Sequence, residues 1–327
     1  MRPASGFPGR GPGSEEGAVL VLVLLVLTLI SVLVLSWSQE WRTELKLAGN
    51  FREDRQNRRL AEAGIYYALG KILTAKSVER QTAAPGAGLE PSVDPRNLWQ
   101  GDRSPHVLEL PEGRIEVRLE DEGGKINLNR AQEILLGKLF ATLGFSEMQI
   151  RTMVDSIQDW RTEGDAARPY GAKSEYYLSL DPPYVAKNGL FETVEELAWV
   201  HGFEGSPLIN RLGEFLTVQP KGQGININTA AKEVLQAVGL PPDAAEAVIA
   251  ARQTMPFTTF QQIMPWNTSM AGQTEQFTLR AAPFLTIKST GMVKQGRGRH
   301  TIKVIVRVNP NVSNPWEIVN WIDDFPG

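Results

Sequence analysis

The apolar stretch AVLVLVLLVLTLISVLVL, from Ala18 to Leu35, sets the architecture of the N-terminal part of the chain. It has no charged residue and two mildly polar members, a threonine and a serine. A membrane is crossed by about 20 apolar helical residues, so this stretch is just long enough to span one. Trp37 follows at the level where interfacial aromatic residues lie. A buried helix of a soluble protein rarely lacks a polar face over this length. The stretch therefore predicts a transmembrane helix over residues 18–36.

The residues after this stretch distinguish a retained helix from a secretory signal peptide. A signal peptide needs small residues at a cleavage site after a shorter apolar region, whereas this chain continues as LSWSQEWRTEL. No proline occurs between Pro12 and Pro85, so nothing forces the helix to end. We predict one helix from Ala18 to about Thr74, roughly 85 Å long at the standard rise, with an amphipathic lower half that packs against a domain. A linker rich in turn residues is expected over residues 75–105.

Length, charge and composition limit the possible functions. The 327 residues are enough for a membrane segment and two compact units, and the net charge of −3 indicates no overall attraction to nucleic acid. The absence of cysteine excludes disulfides, thiolate metal sites and a cysteine nucleophile. The three histidines lie far apart in the sequence, and no P-loop, dinucleotide fingerprint or nucleophile elbow occurs. We therefore predict that the chain is not an enzyme.

Strand patterns occur near residue 110 and again near the C-terminus. Residues 107–110 lead through a Pro-Glu-Gly turn into RIEVRLE (residues 114–120), in which apolar and charged residues alternate. The same alternation returns over residues 284–290 and 301–308, joined by a tip that contains QGRGR. Strict alternation predicts half-buried antiparallel hairpins. We expect the two hairpins to share one sheet.

The residues between the hairpins have helical patterns and an internal repeat. GKINLNRA begins at Gly124 and GININTAA begins at Gly224, and each is followed by a helix with an apolar face. Asn129 in the first copy, and Asn228 or Thr229 in the second, are predicted to cap these helices, each contributing about 1 kcal/mol.

The repeat also permits a rival interpretation, because it resembles the helix-hairpin-helix modules that bind DNA. In those modules the backbone N–H groups of a glycine-rich hairpin hold phosphate. Here the hairpin position reads Gly239-Leu240-Pro241-Pro242, and the two prolines have no N–H to donate. A clustered basic stripe is also missing. A purely structural role for the repeat is therefore favoured.

An acidic, turn-rich loop runs from Ile157 to Gly189. Carboxylates and carbonyl oxygens in such a loop are the ligands that calcium prefers, although the spacing is not that of an EF-hand. A solvated acidic loop neutralised by nearby basic residues is the alternative. The acidic candidates are Asp159, Glu163, Asp165 and Glu175, and the neutralising residues are Arg161, Arg168 and Lys173.

The first 17 residues, MRPASGFPGRGPGSEEG, are rich in proline and glycine and end in Gly17 directly before the apolar stretch. This arrangement resembles the type IV prepilin leader. The resemblance implies that a membrane peptidase cleaves between Gly17 and Ala18 and that the new amino terminus is methylated. The fifth mature residue is then Leu22, where most pilins have glutamate. Glu15 and Glu16 stand where basic residues usually precede the glycine.

Several motifs in one order extend the resemblance over most of the chain, from Gly17 to about Val308. Together with GKINLN and ININTA, they resemble the minor pseudopilin K family of type II secretion. Members of that family bind calcium in the acidic region, which implies Asp159 and Glu175 first as ligands, and Glu163 and Asp165 second. Lys173 stands where that family has an acidic or neutral residue. The motifs are Asp159-Trp160, Gly171-Ala172, Glu175-x-Tyr177, Pro182-Pro183-Tyr184, Asn188, Glu196-Leu197 and Gly202.

The resemblance implies an α+β fold in which a long N-terminal transmembrane helix packs on a small antiparallel, pilin-like sheet, with a large inserted all-α domain. The expected domains are the prepilin leader (1–17), the transmembrane helix (18–36), the pilin-like helix and sheet (37–121 plus 283–327), and the inserted α-domain with two helix-hairpin-helix-like repeats (122–282).

The implied function is that of a structural tip component of the periplasmic pseudopilus, which supports export of folded proteins across the outer membrane. The implied partners are the minor pseudopilins I, J and H, the prepilin peptidase and the inner membrane, with no nucleic acid. The implied location is the bacterial inner membrane, with the N-terminus cytoplasmic and the main domain periplasmic. The alternative is a membrane-anchored helix-hairpin-helix protein of the competence type that binds nucleic acid.

Overall fold

The computed structural model describes residues 13–83, 99, 101–206, 209–220, 222, 224–263, 276–309 and 314–325. By its internal contacts the chain divides into two units, residues 1–56 and residues 57–327. The helices are α1 (Gly13–Ala83), α2 (Glu133–Thr142), α3 (Glu147–Arg161), α4 (Ser174–Leu178), α5 (Ile209–Leu212), α6 (Lys232–Ala237) and α7 (Pro242–Thr254), with 3-10 turns at Glu122–Gly124, Glu195–Trp199 and Phe260–Gln262. The strands are β1 (Asp102–Glu109), β2 (Gly113–Asp121), β3 (Ile126–Asn127), β4 (Leu216–Thr217), β5 (Ile225–Asn226), β6 (Phe277–Thr278), β7 (Phe284–Val293), β8 (His300–Val308) and β9 (Trp316–Ile322).

Helix α1 contains the apolar stretch, which lies in the first unit. The large apolar side chains from Val19 to Leu35 are between 44% and 64% exposed, and the most apolar 18-residue window has a mean hydropathy of 3.4. By length and composition this helix is able to cross a membrane. The helix continues to Ala83, beyond the predicted end near Thr74, because the first proline after it is Pro85. The predicted linker over 75–105 is therefore wrong for residues 75–83 and for residues 102–105, which belong to β1; residues 84–98 and 100 lie outside the described part.

The second unit contains a five-stranded antiparallel sheet in the order β1-β2-β7-β8-β9. Strand β2 pairs with β7, with Ile115 opposite Gly291 and Val117 opposite Ser289. The two predicted hairpins are thus neighbours in one sheet, as the alternation predicts. The C-terminal segment adds the edge strand β9 to this sheet.

The core of the pilin-like part lies between this sheet and the part of α1 that belongs to the second unit. Ala61, Ile65 and Ala68 of α1 are fully buried against Val117 and Leu119 of β2 and against the central strands β7 and β8. The apolar positions of β2 alternate with two exposed arginines and one half-buried glutamate, and this alternation favours a strand with one buried face.

Two glycines permit a close approach of α1 to the sheet. A Cβ atom on Gly64 of α1 would lie 2.2 Å from Ser289 Oγ, and one on Gly291 of β7 would lie 2.1 Å from the carbonyl oxygen of Asn57. Asn57 also ties the two elements together, since its Oδ1 accepts a hydrogen bond of 2.8 Å from the backbone N–H of Val293. The helix therefore rests directly on the backbone of the sheet.

The α-domain is mainly helical and is built from two copies of one motif. In the first copy β3 pairs in parallel with β4 around α2 and α3, and in the second β5 pairs in parallel with β6 around α6 and α7. One apolar core joins both copies. The acidic loop itself covers residues 162–190 and not 157–189, because residues 157–161 belong to α3. It is an insertion of the first copy, since in the second copy only residues 255–256 separate α7 from Phe257.

The repeated asparagines act differently from the prediction. The N-cap residues of α2 and α6 are Gln132 and Ala231, neither with a side-chain cap, so the predicted capping role of Asn129, Asn228 and Thr229 is wrong. Each asparagine lies too early in the chain to reach the first turn of its helix. The side chains of Asn129, Asn228 and Thr229 instead bind residues that are distant in the sequence.

Each asparagine clamps a distant backbone segment with two hydrogen bonds. Asn129 donates to the carbonyl of Phe191 at 2.9 Å and accepts from its N–H at 2.8 Å. Asn228 makes the same pair of bonds with Phe257, at 3.0 and 2.8 Å. These clamps fix the segment that follows each long helix to the loop that opens each copy.

A second matched contact uses arginine from the last turn of each long helix. Arg161 donates to the carbonyl oxygens of Leu128 and Ala131, the latter at 2.8 Å, and Arg252 donates to that of Ile227 at 2.7 Å. Burial lowers the pKa of Arg252 to about 10, so the guanidinium stays charged at neutral pH. The two copies therefore share their internal bonding as well as their sequence.

Replacing Asn129 with alanine should lower the free energy of unfolding by about 1–3 kcal/mol, because both backbone groups of Phe191 lose their partner in a part-buried place. Asn228→Ala should have a similar effect through Phe257. Chemical denaturation followed by tryptophan fluorescence measures the loss. Arg130→Ala, at an exposed neighbouring position, is the control and should stay within about 0.5 kcal/mol of the original chain. Equal stability of all three variants would contradict the clamp.

Candidate functional site

The junction between the sheet and the α-domain contains a buried ion cluster. The Nζ atom of Lys125, which is 2% exposed, lies 2.8 Å from Glu120 Oε2 and 2.7 Å from Glu122 Oε1, and donates to the carbonyl of Gly213 at 2.9 Å. Lys288 of β7 adds a second ammonium at 2.6 Å from Glu120 Oε1. The cluster thus links the end of β2, strand β7 and the α-domain.

The charges in this cluster support one another. Burial alone would raise the pKa of Glu120, but the positive charges of Lys125, Lys288 and Arg103 outweigh it and hold that pKa far below its usual range. Burial likewise acts to lower the pKa of Lys125, and the two carboxylates outweigh it and raise that pKa. Glu120 and Lys125 are therefore both ionised at neutral pH.

Asp121 ties the second copy of the α-domain motif to the sheet. Its Oδ2 accepts hydrogen bonds from Asn226 at 2.7 Å and from the hydroxyl of Thr229 at 2.8 Å. Its Oδ1 accepts from the backbone N–H groups of Gly123 and Ala282, both at 2.9 Å. The carboxylate, which is 2% exposed, thereby joins both ends of the α-domain to the end of β2.

One further ion pair crosses the same junction. The Nζ atom of Lys303, in β8, lies 2.7 Å from Oε1 of Glu195 in the α-domain. Burial acts to raise the pKa of Glu195, and the charge of Lys303 outweighs it and lowers that pKa. With the Lys125 cluster and Asp121, this pair fixes the α-domain on the sheet at several separate points.

The four predicted metal ligands are not brought together. Asp159 lies buried in α3, where its Oδ2 accepts from the N–H of Arg168 at 3.0 Å. Burial raises the pKa of Asp159, and the Arg168 hydrogen bond acts against that rise. Glu163, Asp165 and Glu175 are exposed. Among the described residues, no three Asp, Glu or His side chains form a group that could hold a metal ion.

The centre of the acidic loop contains the ammonium of Lys173. This side chain is 4% exposed, and its Nζ donates to the carbonyl oxygens of Asp159 and Thr162, both at 2.6 Å, and to Oδ1 of Asn188 at 2.9 Å. These three oxygen atoms are thus already bound by a cation of the chain itself. The residues present do not fit the calcium ion that the family resemblance implies.

Aromatic side chains also anchor the loop. Tyr177 is fully buried, with its ring 5.3 Å from that of Trp160 and 5.1 Å from that of Tyr184. Its hydroxyl oxygen accepts a hydrogen bond of 3.1 Å from the N–H of His201, and burial raises its pKa. The loop is therefore anchored by packing as well as by Lys173.

Comparison with known families matches three parts of the chain. Residues 117–221 and residues 225–280 each match a family model described as type II secretion system (T2SS), protein K. Residues 16–65 match a model described as PilX N-terminal. The first two models cover the two copies of the α-domain motif and most of β2. The chain belongs to the type II secretion system protein K family.

Individual relatives agree with this membership. The type II secretion system protein K of Pseudomonas aeruginosa is 27% identical over 251 residues, which cover 73% of this chain and 72% of the relative. That of Aeromonas hydrophila is 26% identical over 268 residues, covering 73% and 76%. A chain in the crystal structure of the GspK-GspI-GspJ complex from enterotoxigenic Escherichia coli has the same fold, with a TM-score of 0.60 at 17% identity, over 82% of this chain and 97% of that one.

Membership in the protein K family makes the chain a minor pseudopilin of type II secretion. The apolar part of α1 is its candidate membrane anchor. Gly17 and Ala18, the predicted cleavage position, lie in α1, and a Cβ atom on Gly17 would meet no other atom within 4 Å. The leader upstream of residue 13 lies outside the described residues, and cleavage at Gly17 stays a prediction.

Sequence reasoning missed the residues at the junction. Asp121 and Lys125 were not singled out, although a signal exists in RLEDEGGK, where alternation stops and three acidic residues precede one lysine. The structure buries all three of these acidic residues. Consecutive burial of charges is not a pattern of any regular strand, so the break in alternation marks the place where the chain leaves the sheet for the α-domain.

Proposed function

We propose that this minor pseudopilin caps the tip of the periplasmic pseudopilus and assembles there with the minor pseudopilins I, J and H. The observation that carries the proposal is the α-domain, fixed to the sheet by the Lys125 cluster, Asp121 and the pair between Lys303 and Glu195. A bulky domain held rigidly on the pilin-like part would block addition of another subunit above it. The similar chain of known structure was crystallised in a complex of GspK with GspI and GspJ, which supports the choice of partners.

We propose further that the chain matures as a prepilin. The prepilin peptidase would cleave between Gly17 and Ala18 and leave a methylated Ala18 at the cytoplasmic face of the inner membrane, with the main domain in the periplasm. The fifth mature residue would be Leu22. A subunit without a glutamate there need not neutralise the amino terminus of a preceding subunit, which suits the first subunit of a fibre. The role is structural and not enzymatic.

The alternative function, nucleic-acid binding of the competence type, has no support in the structure. At the hairpin of the second copy, Pro241 is the N-cap of α7 and Pro242 its first residue. Neither can donate an N–H to phosphate, and α7 begins at this point. The family matches over both copies are to protein K.

The mass and N-terminal residue of the protein purified from membranes test the maturation. We expect a chain that starts at methylated Ala18 in cells with the prepilin peptidase and one that starts at Met1 in cells without it. Retention of Met1 in both strains, or cleavage after residue 35, would overturn the prepilin assignment. Cleavage after residue 35 would instead indicate an ordinary secretory signal.

Assembly is tested separately by co-expression of the full chain with the minor pseudopilins I and J of the same organism. We expect the three proteins to elute together from size-exclusion chromatography in detergent. A variant with Asp121→Ala and Lys303→Ala, which loosens the α-domain on the sheet, should retain processing at Gly17 and form less complex. Absence of a complex with correctly processed protein would contradict the partners and leave the maturation intact.

A further inference from the structure

We propose that the ammonium group of Lys173 is a built-in cation that takes the structural place of calcium in the acidic loop. The loop of this chain, residues 162–190, would then be ordered without any metal ion. The observations are the contacts of Lys173, the positions of the acidic side chains and the conformation of Asn188.

Lys173 gathers oxygen atoms from three separate parts of the loop region. Asp159 contributes its carbonyl from the last turn of α3, Thr162 contributes its carbonyl from the beginning of the loop, and Asn188 contributes its side-chain oxygen from the end. Carbonyl and amide oxygens of this kind are typical ligands of calcium. An ammonium has three N–H donors, and here each meets one of these oxygens, so the group is fully satisfied in a buried place.

Asn188 has a backbone that suits this task. Its φ of 50° lies in the left-handed region, which asparagine tolerates better than most residues. That conformation occurs where the chain returns from the loop, next to Gly189, whose N–H donates to the carbonyl of Trp160 at 3.1 Å. The left-handed turn and the amide oxygen thus bring the end of the loop back to α3 through Lys173.

The carboxylates that a calcium ion would need are engaged elsewhere or lie at the surface. Asp159 accepts from the N–H of Arg168, and Asp155 accepts from the N–H of Tyr170 at 3.1 Å. Glu163, Asp165 and Glu175 are exposed. A divalent ion in the position of the Lys173 ammonium would therefore meet the same neutral oxygens that the ammonium binds, and it would have to displace a covalently attached charge.

A tethered cation differs from a bound ion in one measurable way. A calcium ion dissociates when a chelator lowers its concentration, so the stability that it supplies depends on concentration. The Lys173 ammonium is part of the chain and is present at every calcium concentration. Loop order and thermal stability should therefore be independent of calcium.

The first test compares the full chain in detergent with EDTA, with calcium chloride and with magnesium chloride as an ionic-strength control. At about 10 mM, calcium would be well above even the weakest dissociation constants of extracellular sites, roughly 1 mM. A site of that strength would raise Tm by roughly 3 °C or more. We expect Tm to agree within about 1 °C in all three buffers, and hydrogen exchange of residues 162–190 to be unchanged. A calcium-specific rise in Tm, or calcium-specific protection of the loop, would overturn the proposal.

The second test removes the ammonium. Lys173→Met keeps most of the side-chain stem without the charge, and Lys173→Ala removes both; each should lower Tm by roughly 5 °C or more, because three oxygens lose their donor. Lys138→Ala, at an exposed site on α2, is the matched control and should leave Tm unchanged. Lys173→Met with the Tm of the control would overturn the proposal.

Chemical rescue separates the missing cation from general damage. Propylammonium carries the three carbons and the ammonium that Lys173→Ala removes, so it should restore part of the lost Tm, whereas propanol and tetramethylammonium at the same concentration should not. Equal effects of all three additives would overturn the proposal. If neither variant folds, the calcium and EDTA comparison on the original chain still decides, since it uses no substitution.

Discussion

Replacing Lys125 with methionine should cost about 3–5 kcal/mol of unfolding free energy, because the carboxylates of Glu120 and Glu122 would stay buried without their shared cation. The Lys125 ammonium lies within 2.8 Å of both carboxylates, and all three side chains are 5% exposed or less. Lys288 would still neutralise part of the charge of Glu120, whereas Glu122 would keep the neutral hydrogen bond that it accepts from the hydroxyl of Thr286. Denaturation by urea, followed by tryptophan fluorescence, measures the loss.

Further variants distinguish a lost charge from lost packing. Lys138→Met, at an exposed position, should change the stability by less than about 0.5 kcal/mol. Adding Glu120→Gln and Glu122→Gln to Lys125→Met should recover part of the loss, because both buried carboxylates are then neutral. The ammonium of Lys288 loses its carboxylate partner, but 19% of its side chain is exposed to solvent. If the triple variant were less stable than Lys125→Met by the sum of the separate losses of Glu120→Gln and Glu122→Gln, the three side chains would act independently.

The stability that Lys125→Met loses should depend on pH in a definite direction. In the original chain the pKa of Glu120 is depressed, so its contribution is complete above its ordinary pKa of about 4.3 and is lost as the pH falls toward the folded value. In Lys125→Met, Glu120 loses one of the positive charges that hold its pKa down, so it takes up a proton more readily. The difference in stability between the two proteins should therefore be largest near neutral pH and should shrink below about pH 5. A difference that is constant with pH would contradict the electrostatic origin.

The parts of the fold that the sequence predicts are those in which one pattern extends over many residues. The uncharged run from Ala18 to Leu35 predicts an exposed apolar helix by composition alone, and the alternation in RIEVRLE predicts a strand with one buried face. Both signals depend on residues that repeat over many positions. A single unexpected residue does not change them.

The junction could not be predicted in the same way, because it depends on individual side chains meeting across the chain. Asp121 receives donors from Asn226 and Ala282, which lie more than a hundred residues away in sequence. The repeated asparagines were recognised as a pair, but the sequence does not show that their partners are Phe191 and Phe257. Local rules for helix caps therefore gave the wrong partners.

The acidic loop shows the limit of composition as a guide. Its density of carboxylates is typical of a calcium site, yet the structure directs backbone carbonyls inward to Lys173 and leaves Glu163, Asp165 and Glu175 exposed. Which oxygens face inward depends on backbone conformation at particular positions, such as the left-handed Asn188. The lysine was visible in the sequence as a departure from the family pattern, and its contacts give that departure a physical meaning.

Substituting alanine for Gly291 should destabilise the pilin-like part by about 2–3 kcal/mol, the upper range for overpacking a close contact. The new Cβ would lie 2.1 Å from the carbonyl oxygen of Asn57 and 2.6 Å from the N atom of Ala61. Both are backbone atoms of α1, so relief requires the helix to move away from β7. That movement would also strain the hydrogen bond of 2.8 Å between Asn57 and Val293. Thermal unfolding of the full chain in detergent measures the effect.

Glycines on α1 itself supply the controls for this close approach. Gly70→Ala adds a Cβ that meets nothing within 4 Å, so the higher helix propensity of alanine should leave the stability unchanged or raise it by up to about 1 kcal/mol. Gly64→Ala gains the same propensity, but its Cβ would lie 2.6 Å from Cγ2 of Ile115, and it should be destabilising. Opposite signs at these two positions would show that contact with the sheet, and not helix propensity, determines the effect. If Gly64→Ala and Gly291→Ala were both as stable as Gly70→Ala, then α1 would not rest on the backbone of the sheet.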